Sequence, residues 1–235
     1  MTAVIRTQNP SMNHAKFIVF EGIDGSGKGT QVELVAERLR SEGKKVAILD
    51  FPRYKHQSGF MVSKYLNGEY GTLEEIGPEL ASTFYAIDRF DAKQEALAAL
   101  AENDYVLANR YASSNMIFQA SKLDSYPKID TFLDWVYDLE FRIFGIPKPD
   151  TVVFLKISVE TSARLVAMKE QRDYIKGGGN KDIHEANLNF LRKTSEIALY
   201  VASRFTNWKV LECEDGQGDI LPKEAVTDKI LAAIR

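Results

Sequence analysis

The first sustained apolar run of the chain is "KFIVFE" (16–21), and four more follow: "KVAILDF" (45–51), "DYVLAN" (104–109), "DTVVFLKI" (150–157) and "WKVLEC" (208–213). Each is short, continuous and rich in β-branched residues rather than alternating, the pattern of strands covered on both faces. Between the runs the period becomes helical. Val32, Val35, Ala36 and Leu39 fall at i, i+3, i+4 and i+7, and Leu188, Leu191, Ser195 and Leu199 follow more loosely. Strands alternating with helices predict an α/β fold: a five-stranded parallel sheet with helices on both faces, in one domain over 16–235. "KEQRDYIKGGGNKD" (169–182) breaks the alternation, and its three consecutive glycines exclude a continuous helix, so a mobile lid is expected there. Residues 1–15 have one Arg and no apolar core; a disordered leader is expected, not a signal peptide.

Composition narrows the function classes. With 235 residues, 45% of them hydrophobic, the chain can bury one sizeable core. A net charge of −3 argues against a dedicated nucleic-acid or acidic-membrane binder. The one cysteine, Cys213, precludes an internal disulfide and suits a reducing cytoplasm. No apolar run approaches the ~18 residues of a membrane span.

The chemistry begins where the first run ends. "GIDGSGKGT" fits G-x-x-x-x-G-K from Gly22 to Lys28, with Gly29 where the pattern usually has Ser or Thr. A buried strand before it and an amphipathic helix after it are the context this loop requires. Glycines let consecutive backbone N–H groups point inward beside the positive end of a helix, which makes a cradle for the phosphates of a nucleoside triphosphate. Lys28 is expected to face solvent and reach the β- and γ-oxygens. A switch GTPase would need Asn-Lys-x-Asp after a strand; "NKDI" (180–183) has its Asp one position early and lies in the lid. A second group of charges stands at strand carboxyl ends or on the helix leading there: Arg53 in "FPRYKHQSG", Arg89 in "FYAIDRF" and Arg110 in "NRYASSN". Ligands bind at those ends in open α/β sheets, and guanidinium groups there suit an anionic acceptor.

"FEGIDGSGKGTQ", "FPRY", "VSKYLNGEYG", "FYAIDRFD", "NRYASSNMIFQ" and "FGIPKPDTVVFLKIS" together resemble the thymidylate kinases, in that family's order and spacing over about residues 16–215. The resemblance implies a three-layer P-loop kinase fold and transfer of a phosphoryl group from ATP, brought with Mg2+ as MgATP, to dTMP. It further implies a homodimer in the cytoplasm with no nucleic-acid or membrane partner. Carried over residue by residue, it gives ATP to Gly22, Ile23, Asp24, Gly25, Ser26, Gly27, Lys28, Gly29 and Thr30. Asp24 would stand near the acceptor's sugar hydroxyl and the metal. Arg53 and Arg110 would hold the acceptor phosphate, Tyr85 would stack on the base, Arg89 would reach its O4, and Ser114 and Asn115 would border its N3 edge. Phe51, Tyr54 and Phe118 would line the sugar and base pocket. Lys28, Asp24, Arg110 and a lid residue, Arg172 ahead of Lys169, Lys176 and Lys181, would carry catalysis. "DIHE" (182–185) is similar to the segment that follows the family's lid.

Two residues depart from the family's pattern. Gly29 removes a hydroxyl that would contact magnesium, and Asn109 stands where Asp is usual. Magnesium is therefore expected to be held mostly by ATP and water, with Asp24 the nearest protein anion, and Asn109→Asp is expected to be tolerated. The acceptor is a phosphate already ionised at pH 7, so no general base is needed; positioning and charge neutralisation suffice. The rivals are an adenylate-kinase-like enzyme, which shares "GKGTQ" but would bring a "DGFPR" segment; a deoxynucleoside kinase, which needs a carboxylate base; and a nucleotide-binding module without catalysis.

Overall fold

A computed structural model describes residues 15–72, 75–167 and 188–235. The five apolar runs become β1 (Lys16–Glu21), β2 (Val46–Asp50), β3 (Tyr105–Asn109), β4 (Thr151–Lys156) and β5 (Trp208–Glu212). Among the described residues they form one parallel sheet in the order β2-β3-β1-β4-β5. Phe20 pairs with Asn109 and Asp50 pairs with Asn109, so the carboxyl ends of the first three strands are level.

The helices are α1 (Lys28–Ser41), α2 (Phe60–Leu66), α3 (Pro78–Asp91), α4 (Lys93–Glu102), α5 (Ala112–Ser114), α6 (Tyr126–Tyr137), α7 (Val159–Ala167), α8 (Leu188–Arg204) and α9 (Lys223–Ile234), with π-helical turns over Asn115–Gln119 and Asp138–Ile143. Each central strand contributes alternate residues to two cores. Phe17, Val19, Val106, Ala108, Val152 and Phe154 face α6 and α8, while Ile18, Phe20, Leu107, Val153 and Leu155 face α1 and α9. A smaller core, including Val62, Tyr65 and Phe84, joins α2 to α3. None of the described helices is long and apolar enough to cross a membrane.

The site follows from this topology. The chain leaves β1 for α1 on one face of the sheet and leaves β3 for α5 and α6 on the other, opening a crevice between the ends of β1 and β3.

Three expectations need correction. The run at 208–213 is not covered on both faces: β5 is the sheet's edge, and Lys209, Val210 and Glu212 are exposed. The buried stripe of α8 is Leu191, Thr194, Ile197, Ala198 and Val201. Leu188, at the first turn, and Leu199, on the opposite side, face solvent, so the stripe is not the one its leucines suggest. Ala15, expected in the leader, is buried in the core. The rest of the leader, the lid segment 169–182 with Arg172, Lys169, Lys176 and Lys181, and "DIHE" lie outside the described residues.

Candidate active site

Gly22–Gly27 forms the turn between β1 and α1. Gly22 (φ 155°), Gly25 (φ 80°) and Gly27 (φ 82°) all have positive φ. At Gly22 a Cβ would also come within 2.4 Å of Ser26 Oγ and 2.8 Å of the Leu155 carbonyl, so glycine is required twice over. The first turn of α1 contains no acidic residue, which leaves the positive end of the helix uncompensated by its own side chains. Ile23 belongs to the core beneath the loop and Ser26 is buried, so these two serve through their backbone, whereas Gly29 and Thr30 are exposed. Ser162, on α7, donates to the Asp24 carbonyl at 2.5 Å and braces the loop from behind.

Lys28 does not face solvent as expected. It is buried, and its Nζ donates to the carbonyls of Gly22 (3.0 Å) and Ile23 (2.9 Å). An ammonium out of water must be hydrogen-bonded, and the curled loop supplies the carbonyls. Its charge is thus held at the floor of a polar cleft lined by Asp24, Gly25, Gly27, Lys28, Gly29, Asp50, Asn109 and Arg110.

A second, more apolar cavity adjoins the cleft, lined by Leu66, Tyr85, Arg89, Tyr111, Ser114, Asn115, Phe118 and Gln119. Asp24, Phe51, Pro52, Tyr54 and Arg110 line both. At that junction Arg110 Nη2 donates to Asp24 Oδ1 at 2.6 Å, and the guanidinium lies 4.8 Å from the centre of the Phe118 ring. Arg110 has φ 65°, a left-handed conformation that a bulky residue adopts only when its surroundings enforce it. The enforcing group is Glu21, fully buried at the end of β1. It accepts from the Tyr111 N–H (3.2 Å), Ser113 Oγ (2.7 Å) and Ser114 Oγ (2.9 Å), and approaches Arg110 Nη1 at 3.9 Å.

In the apolar cavity Arg89 is buried and its Nε donates to both oxygens of Glu140, which is also fully buried; Nη2 donates to Glu140 as well. Burial opposes the charge of Arg89, but Glu140 outweighs it and the pKa is raised. Asn115 Nδ2 donates to the Ser82 carbonyl (3.1 Å) and to Glu140 (3.2 Å). Burial also raises the pKa of Tyr111, so its phenol stays neutral.

Arg53 is the sequence expectation that this arrangement does not bear out. It lines neither the cleft nor the apolar cavity. Its guanidinium is engaged by Asp88 (3.1 Å), Asp91 (2.5 Å) and Glu95 (3.4 Å), and its own N–H donates to Asp88. It pins the turn after β2 to α3 and α4 instead of reaching the junction. The pairing lowers the pKa of the exposed Asp91, chiefly through the hydrogen bond from Arg53.

Asn109 has a partner that the sequence reading overlooked. Its Nδ2 donates to Asp50 Oδ1 at 2.7 Å across β2 and β3, while its Oδ1 is buried without a hydrogen-bond partner among the described residues. The carboxylate absent at 109 is therefore present one strand over. Lost hydration raises the pKa of Asp50, partly offset by the Asn109 hydrogen bond and by Arg110. A carboxylate at 109 would stand within hydrogen-bond distance of this one, which removes the basis for expecting Asn109→Asp to be tolerated. No group of three metal-ligating side chains exists among the described residues. Asp24 and Asp50 on the rim of the P-loop cleft suit a magnesium ion that brings most of its ligands as nucleotide and water.

Glu21, Asp88, Gln119 and Glu140 were likewise not singled out from sequence. Glu21 has a signal, an acid closing an otherwise apolar strand, and the Asp88/Asp91/Glu95 spacing marks one helical face. Glu140 has none, because it lies in a π-helical turn 51 residues from the arginine it meets.

The two arginines give opposite expectations. Arg53→Ala removes the charged partner of the buried Asp88, which keeps its hydrogen bonds from Ser58 Oγ and from the backbone N–H of residue 53, and is expected to cost about 1–3 kcal/mol in urea unfolding, with a modest effect on turnover. Arg110→Ala leaves only the cleft-lining Asp24 and the well-bonded Glu21, so it is expected to cost less stability and far more turnover. Activity lost mainly at Arg53 would return the anion grip to that residue.

The family model for thymidylate kinase matches residues 20–221. The thymidylate kinase of Mycobacterium tuberculosis (strain H37Rv) is 31% identical over 188 residues, covering 80% of this chain and 86% of that protein. The Homo sapiens thymidylate kinase is 27% identical over 156 residues, covering 66% of this chain and 67% of that protein. The solved thymidylate kinase from Candida albicans shares the fold, with a TM-score of 0.71 at 18% identity over 94% of this chain and 91% of that one. A match over most of the sequence, joined to a P-loop cleft that meets a second, more apolar cavity at Arg110, makes the chain a member of the thymidylate kinase family.

Proposed function

We propose that this enzyme transfers the γ-phosphoryl group of ATP to the phosphate of dTMP, giving dTDP and ADP. The observation that carries the reading is the junction at Asp24 and Arg110, where a cleft shaped for a triphosphate opens into a cavity shaped for a nucleotide base. ATP is held by the loop N–H groups of Gly22–Gly29 and by Lys28. Tyr85, Phe51 and Phe118 enclose the acceptor's base and sugar, Tyr54 and Ser114 border them, and Arg89 and Asn115 read the base edge. Arg110 grips the acceptor phosphate and aligns it with the γ-phosphorus; the ionised phosphate oxygen attacks without a base, so the protein's work is alignment and neutralisation. Asp24 orients Arg110 and takes the sugar hydroxyl. Arg172 is assigned the lid's contribution, a charge placed on the migrating group as water is excluded.

Magnesium, carried in with ATP, would neutralise charge on the β- and γ-oxygens, with Asp24 and Asp50 as the protein carboxylates nearest it. The single cysteine, Cys213, is buried, and burial pushes its thiol up to about 11, which keeps it unreactive; a cytoplasmic location is proposed from the lack of any second cysteine to pair with it. Two copies are proposed to associate through α3, whose outer face exposes Leu80 (51%), Ile87 (38%) and Phe90 (50%) in one stripe.

Coupled ADP release with dTMP, dUMP, AMP and thymidine as acceptors tests the reaction. It is expected with dTMP, more weakly with dUMP, and with neither AMP nor thymidine. It should fall below about a tenth of wild type in Lys28→Ala, and ATP binding with silence toward every acceptor would indicate a module without catalysis.

Asp50 separates stability from function. Its folded pKa is raised, so its ionised form opposes folding at neutral pH, and the penalty disappears as pH falls through the folded pKa. Asp50→Asn is therefore expected to melt no lower than wild type at pH 7, while the magnesium concentration for half-maximal rate rises several-fold. An unchanged magnesium titration would remove Asp50 from the metal's surroundings. For the dimer, the double substitution Ile87→Asp, Phe90→Asp is expected to convert the sedimenting species to monomer; wild-type protein already monomeric at micromolar concentration would refute the association.

A further inference from the structure

Glu140 is wholly buried behind the wall of the acceptor cavity, where it pairs with Arg89, and has no part in phosphoryl transfer. A buried carboxylate persists only where its partners satisfy it, and here the partners are the two side chains placed to read the base. We propose that Glu140 is a specificity-determining positioning residue: it holds Arg89 and Asn115 so that the cavity offers an N–H from one and a C=O from the other, and so accepts only a base edge with a carbonyl beside an N–H. The proposal rests on the nucleotide-kinase reading above and adds the origin of base choice.

The polarity follows from what each group can accept or donate. Glu140 and the Ser82 carbonyl are both acceptors, and both lie within 3.2 Å of the same end of Asn115. That end must be the NH2 group, because a carbonyl oxygen there would face two other oxygens with no proton between them. Both amide hydrogens are thereby committed, and the Asn115 oxygen remains as an acceptor at the cavity wall. Arg89 gives Nε and Nη2 to Glu140, so the rest of its guanidinium, which lines the cavity, can act only as a donor. Gln119 adds a third polar group, with a buried Oε1 that has no hydrogen-bond partner among the described residues.

Thymine and uracil match this arrangement: C4=O accepts from Arg89, and N3–H donates to Asn115. Cytosine reverses both, setting an amino group against the guanidinium and a lone pair against the amide oxygen. A pocket built on such hydrogen bonds penalises the mismatched edge heavily, because its own buried groups are left unpaired. Aromatic stacking alone would not tell the two bases apart, since each presents the same flat face.

The test compares dTMP with dCMP in wild type and in Glu140→Gln, by kcat/KM at saturating ATP and by calorimetric binding of each monophosphate. In the variant the amide oxygen keeps the place of Oε1, which accepts from Arg89 Nη2 and Asn115, while the new NH2 group takes the place of Oε2, where it opposes the Arg89 Nε donor and displaces the guanidinium from the base edge. The dTMP-to-dCMP ratio is expected to fall by about tenfold or more, with the Michaelis constant for ATP unchanged. Glu140→Asp, which keeps an acceptor in place, is expected to retain most of the wild-type ratio. If circular dichroism shows Glu140→Gln to be unfolded, Asn115→Ala decides: it leaves the Arg89–Glu140 pair intact and is expected to narrow the ratio similarly. A folded Glu140→Gln, or in its place Asn115→Ala, with a ratio within about twofold of wild type overturns the proposal. Wild type that ignores dTMP altogether overturns instead the reading of function on which it rests.

Discussion

A carboxylate with no exposure to water holds the active site at its working dimensions. Glu21 ends the central strand β1, and the hydrogen bonds that its carboxylate accepts among the described residues come from the turn that follows β3. Leaving a buried charge without those donors would cost several kcal/mol, so the turn is bound to adopt the shape that supplies them. That shape places Tyr111, Ser113 and Ser114 toward Glu21 and turns Arg110 into a left-handed conformation facing the P-loop. The separation between the triphosphate cleft and the acceptor cavity is thus set by one buried acid.

The same rule recurs around the crevice. Arg53 is engaged by Asp88, Asp91 and Glu95, Arg89 by Glu140, and Arg110 by Asp24 and Glu21. An arginine beside an anion site is therefore not always an anion grip. Arg53 lines neither cavity, whereas Arg89 lines one and Arg110, beside Asp24, lines both. Access to a cavity, more than burial of the paired acid, separates the structural arginine from those that can meet a substrate.

Asp50 and Asn109 show how a site can keep its charge while its motif changes. The two residues are register partners on adjacent strands and their side chains are hydrogen-bonded. Asp50 puts a carboxylate beside the neutral amide of Asn109, where a second carboxylate in contact would repel it. Read along the chain, Asn109 is a loss. Read across the sheet, it is an exchange.

The architecture and the donor site are legible along the chain. Five continuous apolar runs, helical periods between them, and glycines at Gly22 and Gly27 leave little choice once strands must be covered and the turn must curl, because these are local constraints carried by consecutive residues. Lys28, Arg89 and Arg110 were singled out by the same local logic, Asp24 and Asn115 by resemblance to the thymidylate kinases, and all five line one or both of the cavities. The state of those side chains was settled by packing. The burial of Lys28, the diversion of Arg53 to Asp88, the repair of Asn109 by Asp50 and the hold of Glu140 on Arg89 all depend on partners brought close by sheet order and helix packing. Charges are stabilised by neighbours in space, and a sequence shows only neighbours along the chain.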